Sequence, residues 1–159
     1  MKEPIRVYAD TSVFGGVFDE EFSEPSRRFF ELVKQGRFVL VVSPVVRREL
    51  DHAPERVKRL LEAAEPMAEH VALTAEALSL QAAYLADRVV SERFSNDALH
   101  VAIATVSRCT MIVSWNFKHI VHFERIPLYN AVNTREGHLP LAIYSPREVI
   151  ENEDEGQDI

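Results

Sequence analysis

At 159 residues, the chain has the length of one domain with one hydrophobic core. Its apolar fraction of 47% and charged fraction of 27% are those of an ordinary globular protein, and no apolar stretch is long enough to span a membrane. The single cysteine, Cys109, excludes an internal disulfide and a cysteine-rich zinc site, and the start of the chain does not resemble a signal peptide. We therefore expect a cytoplasmic protein without a membrane segment, in which Cys109 is a small buried residue.

The net charge of −7 differs from the basic footprint that is usual in nucleic-acid-binding proteins. Residues 151–159 hold five acids and no base, so most of this charge lies in one terminal segment. We expect residues 1–150 to form the domain and residues 151–159 to be a disordered, solvated acidic tail. Basic residues concentrate between Arg27 and Arg59, where they could line a phosphate path, although solvated helix faces explain any one pair more simply.

In the first half of the chain, strand and helix signals alternate. Residues 5–9 alternate apolar and polar side chains and stop at a carboxylate, whereas residues 38–42 are a continuous apolar run typical of a strand buried on both faces. Pro25 falls in the first turn of a predicted helix, and Gly36 is a natural cap for its end. The patterns predict a strand over 5–9, a helix over 23–35, a strand over 38–42, a helix from 43–44 and a helix over 54–64.

The second half begins with a helical layer and returns to strands. After Thr74, an apolar stripe of Leu78, Ala82, Leu85 and Val89 predicts one face of a long helix. The segment that begins at residue 95 is apolar nearly all round, which predicts a helix through the core. The remaining predictions are an edge strand at 70–73, a strand over 111–114, a short helix over 116–122, no periodic structure beyond residue 127, a strand over 141–144 and a last helical turn at 147–149.

Four oxygen-bearing side chains fall at predicted strand ends or helix starts: Asp10, Glu49, Asp97 and Asn116. Three of them have an ordinary explanation, since Asp10 and Asn116 are good helix N-caps and Asp97 is stabilised by the dipole of the helix near whose start it lies. In open α/β sheets, however, ligands bind beyond the carboxyl ends of the strands, and all four would meet there. We therefore expect these side chains to share one site.

Carboxylates brought close together repel one another, so such a cluster is usually retained because a cation neutralises it. Without cysteine ligands or paired histidines, all-oxygen donors select hard ions, which means Mg²⁺ or Mn²⁺ rather than zinc. Such an ion can orient and activate a water and stabilise charge on a phosphate during in-line attack. The ion would also supply part of the positive charge that an acidic chain needs in order to bind RNA.

Four sequence segments resemble the successive motifs of PIN-domain nucleases, including the VapC-like toxins of bacteria and archaea. The segments are Tyr8-Ala9-Asp10-Thr11-Ser12, Val46-Arg47-Arg48-Glu49-Leu50, Asn96-Asp97-Ala98-Leu99-His100-Val101-Ala102 and Val113-Ser114-Trp115-Asn116-Phe117. The resemblance spans about residues 5–149, with the order and spacing of the motifs intact. It implies a three-layer α/β/α fold with a central parallel sheet, and cleavage of single-stranded or looped RNA that depends on Mg²⁺ or Mn²⁺.

Carried over residue by residue, the resemblance implies that Asp10, Glu49 and Asp97 are the acidic triad that binds the metal. Many members of the family have an aspartate at the position of Asn116, so this neutral side chain is a departure that affects a second metal site and the catalytic rate. The resemblance further implies an antitoxin partner and a homodimer. We expect Ser12, Ser114 and His100 to support the carboxylates.

Two other phosphate-handling α/β classes also place carboxylates at strand ends. A haloacid-dehalogenase-like hydrolase requires Asp-x-Asp, but Ser12 stands two residues after Asp10. A response-regulator receiver requires an acidic pair at a strand end, whereas Glu3 precedes a strand. The alternative that remains open is a PIN-like domain that has lost turnover and binds RNA or a protein, because Asn116 permits that loss.

Overall fold

The computed structural model describes residues 4–157, with side chains for residues 4–153. Five parallel strands form one sheet in the order β3-β2-β1-β4-β5. The strands are β1 Ile5–Ala9, β2 Phe38–Val42, β3 Glu69–His70, β4 Met111–Val113 and β5 Ala142–Tyr144. The all-parallel sheet is flanked by helices, so the predicted three-layer α/β/α architecture is confirmed.

Eight α-helices connect and cover the strands within the described residues. They are α1 Thr11–Gly16, α2 Ser23–Lys34, α3 Pro44–Leu50, α4 Glu55–Ala64, α5 Ala75–Ala86, α6 Ser95–Val106, α7 Arg125–Arg135 and α8 Pro146–Gln157. Short 3₁₀ turns at Glu65–Met67 and Glu92–Phe94 precede β3 and α6.

Strand β1 is the centre of the sheet and the point where the chain reverses direction across it. The chain moves outward through β2 and β3 on one side, and then returns to the other side of β1 to form β4 and β5. Val7 and Tyr8 point to opposite faces, and neither side chain has any exposed surface, so β1 is buried on both faces of the sheet. The crevice beyond the carboxyl ends of β1 and β4 is therefore the topological switch point of this sheet.

Helix α6 is buried along most of its length, from Ala98 to Thr105, as the sequence predicts. Helix α5 packs against it, but with a different face from the one predicted. The buried side chains of α5 are Ala77, Leu80 and Tyr84, whereas Leu78 is 46% exposed. Because α5 is apolar nearly all round, the polar partners of Tyr84, namely Asn133 and Thr105, select the face that turns inward.

The segment between β4 and β5 differs from the sequence prediction in two places. Residues 116–122 form a turn rather than a helix, and α7 follows, where no periodic structure was predicted. Pro127 lies in the first turn of α7, where its missing N–H removes no intrahelical hydrogen bond. The buried Tyr129, Val132 and Asn133 then fix this helix to the core.

The acidic C-terminal segment was predicted to be disordered, but residues 151–157 are part of α8 in the structure. Arg37 donates to both carboxylate oxygens of Glu153, each at 2.8 Å, which ties this helix to the end of α2. Residues 158–159 lie outside the described residues.

Cys109 is buried, as predicted, and burial raises the pKa of its thiol to about 12. Among the described residues, no helix combines the length and the apolar character needed to cross a membrane.

Candidate functional site

Asp10 lies at the end of β1, in the crevice at the switch point, and only 4% of its surface is exposed. One carboxylate oxygen, Oδ1, accepts hydrogen bonds from the Ser12 amide at 3.1 Å and the Ser12 hydroxyl at 2.5 Å. The other, Oδ2, accepts from the Ser114 hydroxyl at 2.6 Å. Asp10 therefore caps α1, as one reading of its sequence position predicts, and it is also held by Ser114 after β4; its role in a metal site stays a prediction.

The hydroxyls of Ser12 and Ser114 bind backbone as well as carboxylate. Ser12 Oγ accepts from the Trp115 amide at 2.8 Å, and Ser114 Oγ accepts from the Asn116 amide at 2.9 Å. These bonds join the loops after β1 and β4 across the switch point. Ser12 and Ser114 thus both hydrogen-bond to Asp10, and their role in supporting a metal site stays a prediction.

His100 is 2% exposed and lies at the centre of a buried polar chain. Its Nε2 donates to Glu49 Oε1, and its Nδ1 is 2.7 Å from the Tyr8 hydroxyl. That hydroxyl is in turn 2.7 Å from Ser43 Oγ, which accepts from the Val46 amide at the start of α3. The chain connects the β1 strand, the start of α3 and the carboxylate of Glu49 through one histidine.

Asp97, in the first turn of α6, is held by a second histidine. Its Oδ2 is 3.2 Å from His119 Nδ1, and the side chain of Asp97 is 25% exposed. The His119 ring stacks on Phe94, with 3.7 Å between ring centroids. The position of Asp97 is thus fixed by a contact between α6 and the turn after β4.

Asn116 lies on the same edge, but its amide oxygen is already used. Asn116 Oδ1 accepts from the His119 amide at 3.0 Å and so caps the turn that carries His119. This is the local role that any Asn at a turn start can take. Its role as a catalytic side chain stays a prediction.

The charges of Asp10, Glu49 and Asp97 all act on His100. Burial by itself lowers the pKa of His100, but the hydrogen bond to Glu49 and the three carboxylate charges more than offset it, so the pKa is raised. Burial raises the pKa of Asp10, and Glu49 raises it further, against the opposing effects of His100 and the two serine hydroxyls. The carboxylates therefore form one electrostatic group around His100.

The donor set of this site fits a hard cation by its chemistry. Asp10 is a buried carboxylate whose direct hydrogen-bond donors are all neutral, and Thr11 Oγ1 beside it is buried without a hydrogen-bond partner among the described residues. The side chains do not form a complete metal site as they are placed. Within residues 4–153, no three His, Cys, Asp or Glu side chains are grouped closely enough to hold a metal ion. Glu49 contacts His100 and Asp97 contacts His119, each through one carboxylate oxygen.

Sequence reasoning did not identify three residues that organise this site: Tyr8, Ser43 and His119. Tyr8 looked like the polar face of an alternating strand, and Ser43 like a simple helix cap. A hydroxyl in the middle of a strand buried on both faces was the available signal, because such a group needs a polar partner. Nothing local in the sequence indicates that His119 meets Asp97, 22 positions earlier.

No family model matches the sequence, and no curated protein matches it either. Solved structures do resemble the fold. One is VapBC2 from Rickettsia felis, a structure described as bound to a DNA fragment from the VapBC2 promoter. It matches with a TM-score of 0.57 and 16% identity, over 87% of this chain and 97% of that chain. FitAcB from Neisseria gonorrhoeae matches with a TM-score of 0.56 and 12% identity, over 88% of this chain and 97% of that chain.

At these identities, the comparison is informative about the fold. The coverage of 87% and 88% includes most of the chain, so the shared architecture is that of the whole domain and not of one motif. The chain therefore has the PIN-like fold that its four sequence motifs predict, with Asp10 at the switch point of the sheet.

Proposed function

We propose that this chain is an endoribonuclease that hydrolyses RNA phosphodiesters with Mg²⁺ or Mn²⁺, and that it is the toxin of a type II toxin-antitoxin pair. The observation that carries the proposal is the buried carboxylate of Asp10 at the switch point, electrostatically coupled to Glu49 and to His100. The likeness of the fold to VapBC2 supports the same conclusion, because the sequence motifs resemble those of VapC-like toxins.

Asp10, Asp97 and Glu49 would hold the ion in this proposal. A hard cation at this position supplies positive charge that offsets the charge developing on a phosphate during attack by water. Asp10 contributes a carboxylate whose orientation Ser12 and Ser114 fix. The same two serines are bonded to the backbone of the next loop, so the orientation is set before any ligand arrives.

His100 and His119 act on the site through the carboxylates they contact. His100 keeps Glu49 at the edge of the crevice, and His119 does the same for Asp97. Both are positioning residues in this proposal. They also keep the carboxylates paired in the absence of an ion, which reduces the repulsion between them.

An antitoxin partner is part of the proposal. The sequence resembles VapC-like toxins, and VapBC2 is described in a complex with promoter DNA. A homodimer stays a prediction of the resemblance alone.

One observation favours a second candidate, a PIN-like domain that binds RNA or a protein without cutting. Asn116 occupies the position of a frequent aspartate, and its amide oxygen is bonded to the His119 amide. A site with one fewer charge holds an ion more weakly, and weaker ion binding reduces turnover before it reduces binding of RNA.

Trp115, the only tryptophan, allows the two candidates to be separated. It is buried, and its amide donates to Ser12 Oγ, which donates to Asp10, so it reports on an ion held there. We expect Mn²⁺, a paramagnetic quencher, to quench Trp115 fluorescence saturably in the wild type. The quenching should be lost in Asp97→Asn and retained in Asp87→Asn, a surface control whose pair with Arg135 is exposed.

RNA cleavage is then measured with the same three proteins and with Asp10→Asn. Cleavage that requires Mn²⁺ and disappears with Asp97→Asn and Asp10→Asn supports the nuclease. RNA or partner affinity that survives both substitutions, without cleavage in the wild type, supports the binding module. Equal quenching in wild type, Asp97→Asn and Asp87→Asn contradicts the metal site.

A further inference from the structure

An exposed aromatic ring, Phe117, lies in the turn after β4, whose first residues are bonded to the loop that holds Asp10. Phe117 is 46% exposed, although it is a large apolar side chain. It stands two residues after Trp115, whose amide is bonded to Ser12 Oγ, which in turn is bonded to Asp10. The backbone that carries Phe117 is therefore attached to the loop that holds Asp10.

The ring of Phe117 is held by two other aromatic residues. Its centroid is 6.0 Å from Trp115, at an interplanar angle of 69°, and 6.4 Å from Phe22, at 58°. Trp115 and Phe22 stack on each other, with centroids 4.1 Å apart, and Trp115 Nε1 donates to Ser26 Oγ at 2.9 Å. Phe117 thus presents nearly half of its surface to solvent from a packed aromatic cluster, so a flat ligand could bind it at little entropic cost.

Three cations near this ring, Lys118, Arg125 and Arg147, have no direct ion pair with a described acid, although Arg147 lines a pocket together with glutamates such as Glu20 and Glu151. Lys118 is exposed, and the guanidinium of Arg125 donates to the backbone carbonyls of Lys118 and Val89. The guanidinium of Arg147 lies 5.8 Å from the centre of the Trp115 ring. Among the described side chains, none of Lys118, Arg125 and Arg147 forms an ion pair with an acid.

Several of the earlier basic residues are paired with acids. Arg37, Arg47 and Arg59 each pair with a glutamate, which leaves less of their charge for a polyanion. Glu124 is the one acid between residues 116 and 126. The segment after β4 therefore combines a strongly exposed aromatic ring with Lys118 and Arg125, neither of which has an ion pair among the described side chains.

We propose that Phe117 is a stacking platform for an unpaired RNA base next to the phosphate at the carboxylate crevice, and that Lys118 contacts a neighbouring phosphate. The inference rests on the proposed function and names its substrate subsite. Surfaces that bind single strands combine aromatic rings, on which bases stack, with cations that follow the backbone. Bases inside a duplex are already stacked on each other, so the platform selects single-stranded or looped RNA.

The test is equilibrium binding of a short fluorescent single-stranded RNA, measured by anisotropy in EDTA and again in Ca²⁺. A second probe is an RNA of the same length with abasic sites, which keeps the phosphates and lacks the bases. The proteins are wild type, Phe117→Ala, Phe117→Tyr, Lys118→Ala and a matched control, Leu139→Ala. Leu139 is 69% exposed and precedes β5. It therefore lies on the side of the amino ends of the parallel strands, whereas the crevice lies at their carboxyl ends.

We expect Phe117→Ala to weaken binding of the intact RNA by roughly 5- to 150-fold, the range for loss of one stacked base, and to leave the abasic RNA unaffected. Phe117→Tyr should retain the affinity, because its ring can also stack on a base, and the unchanged binding of abasic RNA by Phe117→Ala excludes a folding defect. Lys118→Ala should weaken both probes and reduce the salt slope of binding by about 0.7, the value for one phosphate contact on a single strand. Leu139→Ala should match the wild type.

Three results would overturn the inference. The first is that Phe117→Ala and wild type bind the intact RNA with equal affinity. The second is that the wild type prefers duplex RNA to single-stranded RNA. The third is that the wild type has no affinity for RNA in either buffer. A Phe117→Ala protein that changes its state of association but not its RNA affinity assigns the ring to a protein interface, which also overturns it. Binding is measured without cleavage, so ring-dependent binding without Mn²⁺-dependent cleavage would contradict only the nuclease.

Discussion

The hydroxyl of Tyr8 links the core of the sheet to the carboxylate crevice. It is fully buried and lies 2.7 Å from both Ser43 Oγ and His100 Nδ1. We expect Tyr8→Phe to lower the free energy of unfolding by about 1–3 kcal/mol, because His100 Nδ1 loses its partner in a buried site. Urea denaturation measures this loss. The affinity for Mn²⁺ should fall as well, because His100 also holds Glu49.

The control for this change is Tyr144→Phe, which removes a hydroxyl from a tyrosine that is 37% exposed. A surface substitution of this kind should change the stability by no more than about 0.5 kcal/mol. Equal losses in Tyr8→Phe and Tyr144→Phe would show that the buried chain through His100 has no special energetic role.

At the scale of the element, α1 ends where it passes closest to Trp115. A Cβ on Gly16, the last residue of α1, would lie 2.6 Å from Ser26 Oγ and 2.7 Å from Trp115 Nε1. We expect Gly16→Ala to destabilise the protein by about 1–3 kcal/mol, because it overpacks a buried contact and separates the Trp115–Ser26 hydrogen bond. The unfolding free energy and the emission maximum of Trp115 report the two effects separately.

Gly15 provides a matched control one residue earlier in the same helix. A Cβ there has nothing within 4 Å, so Gly15→Ala should be neutral or stabilising by up to about 1 kcal/mol. If Gly15→Ala and Gly16→Ala have the same effect, helix propensity and not the approach of Trp115 determines the outcome.

Elements with local signals could be predicted from the sequence, and those that depend on distant contacts could not. Strands β1 and β2 have the predicted bounds, because their apolar runs end at a carboxylate and at a Ser-Pro helix start. The buried face of α5 was predicted wrongly, since an apolar surface on every side gives no preferred direction. Helix α7 was missed because the sequence beyond Pro127 shows no apolar periodicity; the helix begins at Arg125, so Pro127 lies in its first turn.

In the candidate site, too, the positions that follow from local signals could be predicted, and those that depend on distant contacts could not. The places of Asp10, Ser12 and Ser114 follow from strand ends, which adjacent parallel strands bring together. The pairing of Asp97 with His119 depends on how α6 packs beside the turn after β4, and neither segment encodes it alone.

At the scale of the whole molecule, the charge distribution matters more than the net charge. The chain carries −7 in total, but five of these charges lie in residues 151–159. The described Glu153 is neutralised locally by Arg37. Lys118 and Arg125, in contrast, follow β4 and have no ion pair among the described side chains, so under the proposed function they would present positive charge to an RNA strand.

The toxin role predicts an effect of the whole protein on cells. We expect expression of the wild type in bacteria to arrest growth, because an endoribonuclease that turns over depletes its RNA targets at low protein concentration. Asp97→Asn should restore growth at equal expression, since it removes a carboxylate needed for the ion but leaves the RNA surface around Phe117 in place. Growth curves with matched expression levels measure this, with Asp87→Asn as a variant that should still arrest growth. Arrest that persists in Asp97→Asn would mean that binding of RNA or of a partner, and not hydrolysis, is responsible.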